Sequence, residues 1–166
     1  NKLNTWLKVE IAHLKSLYGN LTNKTISKEE LDAILCNIKI NKDRWIEIEK
    51  ETRHDLQAFV QMLEESVPGD AGRWIHYGLT SSDILDTSLT IMCRDSIKVI
   101  KFYLSDLLYN MYTLLKKDYI NRSILSRTHG KSAEIQTYYE VFTRWIAQLQ
   151  RGYDELTRLK TSITFG

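Results

Sequence analysis

At 166 residues, with 43% hydrophobic and 27% charged side chains, the chain has a globular composition and is long enough to bury one sizeable core. Lys and Arg number 23 against 21 Asp and Glu, mixed along the chain without a run, which argues against nucleic acid as a partner. No apolar run approaches a membrane span, and the opening Asn1-Lys2-Leu3-Asn4 is no signal peptide, so no membrane partner is expected either.

One Pro and seven Gly are few breaks for this length, and neither residue occurs between Gly78 and Gly130. Long helices are predicted. Leu3, Trp6, Leu7, Ile11, Leu14 and Leu17 or Tyr18 keep helical spacing over about residues 2–18, and Gly19 falls where a left-handed C-terminal residue belongs. Ser27 and Glu30 have capping-box spacing, with Ile26 and Leu31 placed as a hydrophobic staple, and Leu31, Ile34, Leu35 and Ile38 continue the stripe. A helix over about 42–50 follows, with Trp45, Ile46 and Ile48. Thr52 and Asp55 repeat the capping-box spacing before a helix that Pro68-Gly69 stops.

From Asp83 to about Lys117 the apolar positions predict a rod of roughly 50 Å. Residues 121–127 read as a loop or short extended segment ending in Arg127-Thr128-His129-Gly130. A second long helix is expected from Ile135 through Ile163, with Gly152 tolerated inside it and no natural stop at Thr164-Phe165-Gly166. Cys36 and Cys93, far apart and each in a helical apolar pattern, read as small core residues rather than a metal pair or a disulfide. A reducing cytoplasm fits. Two rods with no third to cover them form an incomplete bundle, which leans on further sequence or on another subunit.

Chemistry concentrates at helix boundaries. Thr80 and Asp83 form another capping-box pair, and Ser81 or Ser82 fits the cap as well, so hydroxyls, free N–H groups and the positive end of a helix dipole face the loop that carries His76. Such an end suits a carboxylate or phosphate, though the same residues also serve as ordinary caps. Of the four histidines, His13 lies within the first helix and reads as a residue without chemistry. His54, His76 and His129 each stand in a short polar segment. Two long antiparallel helices would return the residue-129 loop to the end where residue 80 lies, gathering imidazoles able to deliver a proton to a leaving group. No H-E-x-x-H or Cys/His spacing is present, and neither is a dinucleotide fingerprint, a P-loop or a nucleophile elbow, so no metal and no cofactor is expected.

Three segments in order and register, T-R-H-D at 52–55, W-I-H-Y-G-L-T-S-S-D-I-L-D-T at 74–87 and R-T-H-G-K-S-A-E at 127–134, resemble the adenylosuccinate lyase family of the aspartase/fumarase superfamily. The segment Trp6-Leu7-Lys8-Val9-Glu10-Ile11-Ala12 is similar to that family's early W-L-x-V-E-x-A helix. The resemblance implies an all-α fold. Residues 1–79 would be a small helical N-terminal domain, and 80–166 the first long helices of a central bundle shared by a homotetramer. It implies a nucleotide-sized substrate and β-elimination in purine biosynthesis: the C–N bond of adenylosuccinate breaks to AMP and fumarate, and the succinylated aminoimidazole carboxamide ribotide is split likewise.

By the same resemblance His129 would be the general acid, with His54 in support. Thr80 and Ser81 would hold the succinyl carboxylate, Arg53, His54 and Asp55 the nucleotide, His76 the pocket wall, and Thr128 a substrate contact. The family commonly reads T-H-G-Q and A-E-P-T where this chain has Lys131 and Ile135-Gln136. The family's signature loop, with its catalytic base, would lie beyond Gly166 and its R-Y phosphate segment before Asn1, so the chain alone is expected to be inactive. Another fumarate-releasing lyase, such as one acting on argininosuccinate, and a non-catalytic helical scaffold are the competing readings.

Overall fold

The computed structural model describes residues 2–19, 26–117, 120 and 122–162, with side chains through residue 159. Six α-helices, α1 (Lys2–Gly19), α2 (Lys28–Asn37), α3 (Lys42–Thr52), α4 (Asp55–Ser66), α5 (Ser81–Lys116) and α6 (Tyr138–Ser162), account for most of these residues. A 3₁₀ helix (Gly69–Trp74) precedes α5, and an antiparallel hairpin, β1 (Ser123–Thr128) and β2 (Lys131–Thr137), separates α5 from α6. The fold is the expected helical one with this hairpin added. Two compact units meet between Met92 and Cys93, inside α5.

The first unit is built on amphipathic stripes. Leu3, Trp6 and Leu14 of α1, Leu31 and Ile34 of α2, Ile48 of α3, and Leu56, Phe59, Met62 and Leu63 of α4 share one core. Trp6 stands edge-on to Phe59, with ring centroids 5.3 Å apart, a favoured aromatic geometry. The Ser27–Glu30 capping box forms in full, and the staple residues Ile26 and Leu31 are both buried. Glu30 also accepts from Arg73 (2.6 Å) and from the Trp74 indole (3.0 Å), tying α2 to the 3₁₀ helix. Gly72 lets that helix lie against α4: a Cβ there would come within 3.3 Å of the Glu64 carbonyl oxygen.

In the second unit the C-terminal part of α5 and α6 pack antiparallel around Leu108, Met111 and Ile146. The Lys101 ammonium bonds Thr157 (2.7 Å) and lies over the Tyr153 ring. Phe102, Tyr103 and Tyr109 are about two-thirds exposed (70%, 67% and 70%), so this pair of helices leaves apolar surface uncovered.

Several local expectations need correction. Gly19 is the last residue of α1 and has no left-handed φ. Thr52 does not cap α4. Its hydroxyl bonds back to the Ile48 carbonyl, and the His54 ring takes the cap. Cys36 and Cys93 are exposed free thiols rather than core residues, because each falls on the solvent side of its helix. The last long helix starts at Tyr138, not Ile135, because Ile135 pairs with Leu125 in the hairpin. A capping box places that start: Thr137 N–H donates to Glu140 and Glu140 N–H donates to the Thr137 hydroxyl. The expectations for Asn121 and for Ile163 to Gly166 lie outside the described residues.

Candidate active site

Within the first unit His54, Gln57, Gln61, Glu64, His76 and Ser81 line an open cleft of about 460 Å³. Three segments build it. The sharp α3–α4 corner brings His54, since Arg53 closes α3 in the left-handed conformation (φ 51°) and bonds its N–H to Glu49. The next residue then starts α4. His54 Nδ1 accepts from the Gln57 N–H at 3.2 Å, which fixes the neutral ring as the tautomer carrying its proton on Nε2.

The loop between the 3₁₀ helix and α5 brings His76, and α1 pins that loop twice. His13 donates from Nε2 to the Tyr77 carbonyl oxygen at 2.8 Å. Glu10, fully buried, accepts the His76 backbone N–H at 3.1 Å through one oxygen and meets His76 Nδ1 at 2.7 Å through the other. Residues 10 and 13 are one turn apart on α1, so both reach the same loop. Sequence reasoning missed Glu10 as a site residue. Its signal was a carboxylate in register with Leu3, Trp6 and Leu14, on a stripe that otherwise faces the core.

The N-terminus of α5 brings Ser81. Half of the capping box at this end forms: the Thr80 N–H donates to Asp83 at 2.8 Å, while the Asp83 N–H bonds the Thr80 carbonyl instead of its hydroxyl. Thr80 itself is exposed. Glu64, on the cleft rim, has its carboxyl pushed above the usual range by desolvation; His76 pulls the other way and Glu10 adds to the rise. Asp55 faces Lys2 (2.7 Å) and the Leu56 N–H. Burial works against its charge, but those partners hold the carboxyl below its usual range.

Thr128 and His129 belong to the second unit. Thr128 pairs with Lys131, and between them His129 (φ 52°) and Gly130 (φ 77°) make a two-residue hairpin turn with both residues left-handed. Arg127 donates to the Gly130 carbonyl oxygen at 3.1 Å, and His129 is exposed. The returning helix, α6, begins after this turn, at Tyr138.

Arg53, His76 and His129 are the non-glycine residues with positive φ among the described residues, and all three lie in the segments singled out from sequence. Left-handed backbone costs a non-glycine residue roughly 1–2 kcal/mol, and such strain gathers at functional sites. No group of three His, Cys, Asp or Glu side chains among the described residues has metal-binding geometry. None of their helices is long and apolar enough to cross a membrane.

A long two-helix pair carrying a hairpin at its turn, preceded by a small helical unit, is a fold shared with solved structures. The chain superposes on fumarate lyase from Mesorhizobium sp. BNC1 with a TM-score of 0.84 at 18% identity, covering 98% of this chain and 38% of that one. With 3-carboxy-cis,cis-muconate lactonizing enzyme from Pseudomonas putida the TM-score is 0.86 at 19% identity, with 98% and 37% covered. In sequence, residues 5–166 match a family model described as lyase, and the chain belongs to that family. Two relatives are adenylosuccinate lyases. That of Staphylococcus saprophyticus is 32% identical over all of this chain and 37% of its own length. That of Synechocystis sp. is 38% identical over 99% of this chain and 37% of its own. The chain thus spans a little over a third of the length of these relatives.

Proposed function

We propose that the protein containing this chain is an adenylosuccinate lyase. It eliminates fumarate from adenylosuccinate to leave AMP, and from the succinylated aminoimidazole carboxamide ribotide to leave the free amide. The observation that carries this reading is the similarity, along the length of this chain, to a little over a third of two adenylosuccinate lyases. That two of the three resembling segments, through His54, His76 and Ser81, line one cleft supports it.

In this reading Ser81 and Thr80, at the positive end of a 36-residue helix, hold the substrate carboxylate. The Nε2–H of His54 is a donor to the nucleotide or to the leaving nitrogen. Arg53 and Asp55 shape the nucleotide-binding corner, Asp55 through its bond to Lys2. His129, beside Thr128 on its exposed turn, protonates the departing nitrogen, and the base that removes the proton next to the carboxylate comes from elsewhere in the intact protein. Hydrogen-bond donors set in place beforehand stabilise the negative charge that builds up as that proton leaves. Copies of the chain in a homotetramer complete each other's sites, and the cytoplasm supplies the nucleotide.

Turnover of adenylosuccinate by the intact protein tests the reading, with argininosuccinate assayed alongside. The expected result is elimination from adenylosuccinate alone, and a loss on the order of 10²–10⁴-fold in kcat for His129→Ala with the fold intact. Activity on argininosuccinate would move the assignment to that branch, and none on either would leave a helical scaffold.

A further inference from the structure

Resting on the lyase reading above, we propose that Glu10 is a positioning residue. It holds the His76 ring with its proton on Nδ1, so that Nε2 is the nitrogen presented to the substrate.

Glu10 is fully buried, yet both carboxylate oxygens are used by one residue: Oε2 by the His76 backbone N–H (3.1 Å) and Oε1 by its ring Nδ1 (2.7 Å). A carboxylate only accepts, so the hydrogen bond at Nδ1 requires the proton to sit there. The two ring nitrogens point away from each other, so committing Nδ1 to the interior leaves Nε2 for the cleft that His76 lines. His76 keeps a left-handed backbone (φ 61°), and the Glu10–N–H bond offsets part of that strain. One carboxylate therefore sets both where the ring stands and which nitrogen it offers.

The contrast with His54 sharpens the inference. In the same cleft His54 accepts at Nδ1 and so, when neutral, offers Nε2–H as a donor. His76, when neutral, offers an Nε2 lone pair as an acceptor. One imidazole suits an anionic oxygen, and the other a substrate N–H or hydroxyl. Among the described residues Glu10 has no other hydrogen-bond partner, and the nearby Glu64 acts on the pair through its charge.

The discriminating variant is Glu10→Gln in the intact protein. A glutamine keeps the size and accepts the His76 N–H through its carbonyl, but its NH₂ then faces Nδ1 and reverses the tautomer. The expected result is a fall in kcat/KM on the order of 10²-fold with assembly and far-ultraviolet circular dichroism unchanged, the scale of a misplaced acid–base group. In a His76→Ala background the same change should cost no further activity, since Glu10 acts through that ring. An additional loss there, or full activity of Glu10→Gln, would overturn the proposal.

Neutron diffraction from deuterium-exchanged wild-type crystals tests it without any variant. Deuterium on Nδ1 is expected, and a bare Nδ1 would overturn the inference even if the glutamine variant failed to fold. Absence of elimination activity in the wild type would instead sink the lyase reading and leave the diffraction result to stand for the pair alone.

Discussion

At the scale of single residues, two glutamates of the first unit titrate with opposite consequences. The carboxyl of Glu30 is held down from 4.5 to about 2, first by the Trp74 indole and then by Ser27, with desolvation opposing and Arg73 assisting. A depressed carboxyl contributes stability that is complete above its unfolded value and is lost as pH falls through the folded one. The α2 anchor is therefore expected to weaken between about pH 4.5 and 2, and Trp74→Phe should narrow that acid-sensitive window. Glu64 runs the other way: its raised carboxyl favours the folded state when protonated, and that contribution disappears as pH rises through the raised value. Glu64→Gln should flatten the stability profile on that side, which urea midpoints measured across pH 3 to 8 would reveal. An unchanged profile would mean that the cleft does not desolvate this side chain.

At the scale of elements, each site-bearing segment is a junction whose shape one residue makes possible. Gly72 allows the 3₁₀ helix to approach α4 so closely that an added methyl meets backbone rather than a yielding side chain. Gly72→Ala is expected to destabilise the first unit by about 1–3 kcal/mol, as overpacking does, and to shift the loop that carries His76. Thermal unfolding and the KM for adenylosuccinate should move together, and a neutral substitution would show that the two elements slide apart freely. His54 has two duties at its junction, because the ring that lines the cleft also caps α4. His54→Asn should keep the cap to within about 1 kcal/mol while losing activity, which separates the two duties in one variant.

At the scale of the whole molecule, α5 leaves aromatic surface uncovered, and the proposed lyase is expected to cover it by assembly. Phe102, Tyr103 and Tyr109 are exposed in the second unit. Burying them would return roughly 25 cal/mol for each Å² of apolar surface, and under the proposed function a bundle among copies does so. Phe102→Asp should shift sedimentation towards smaller species. If copies share sites, a mixture of His54→Ala and His129→Ala proteins, unfolded and refolded together, should recover part of the activity that each lacks. No recovery would place both histidines in sites made by a single copy.

The helices were legible because their information is local. Stripes at three-and-four spacing, the Ser27–Glu30 box and the stretch without Gly or Pro predict α1 to α5 closely, and α5 as observed spans Ser81–Lys116. Of the hairpin only its first strand was legible, as a loop or short extended segment over 121–127; the pairing was not, because strands this short, mostly exposed and carrying a bulge between Leu125 and Arg127, show no clean alternation. The local signal for its second strand was Thr137-x-x-Glu140, a helix start that denies Ile135 to α6. The sequence by itself determined which residues are candidates, since segments such as T-R-H-D and R-T-H-G state their chemistry wherever they fold. Only the tertiary structure decided what holds them. The buried glutamate that orients His76 lies 66 residues away from it in sequence, and His13, which pins the same loop, lies 64 residues from Tyr77, so both depend on contacts between segments. A periodicity within one segment carries no record of such contacts.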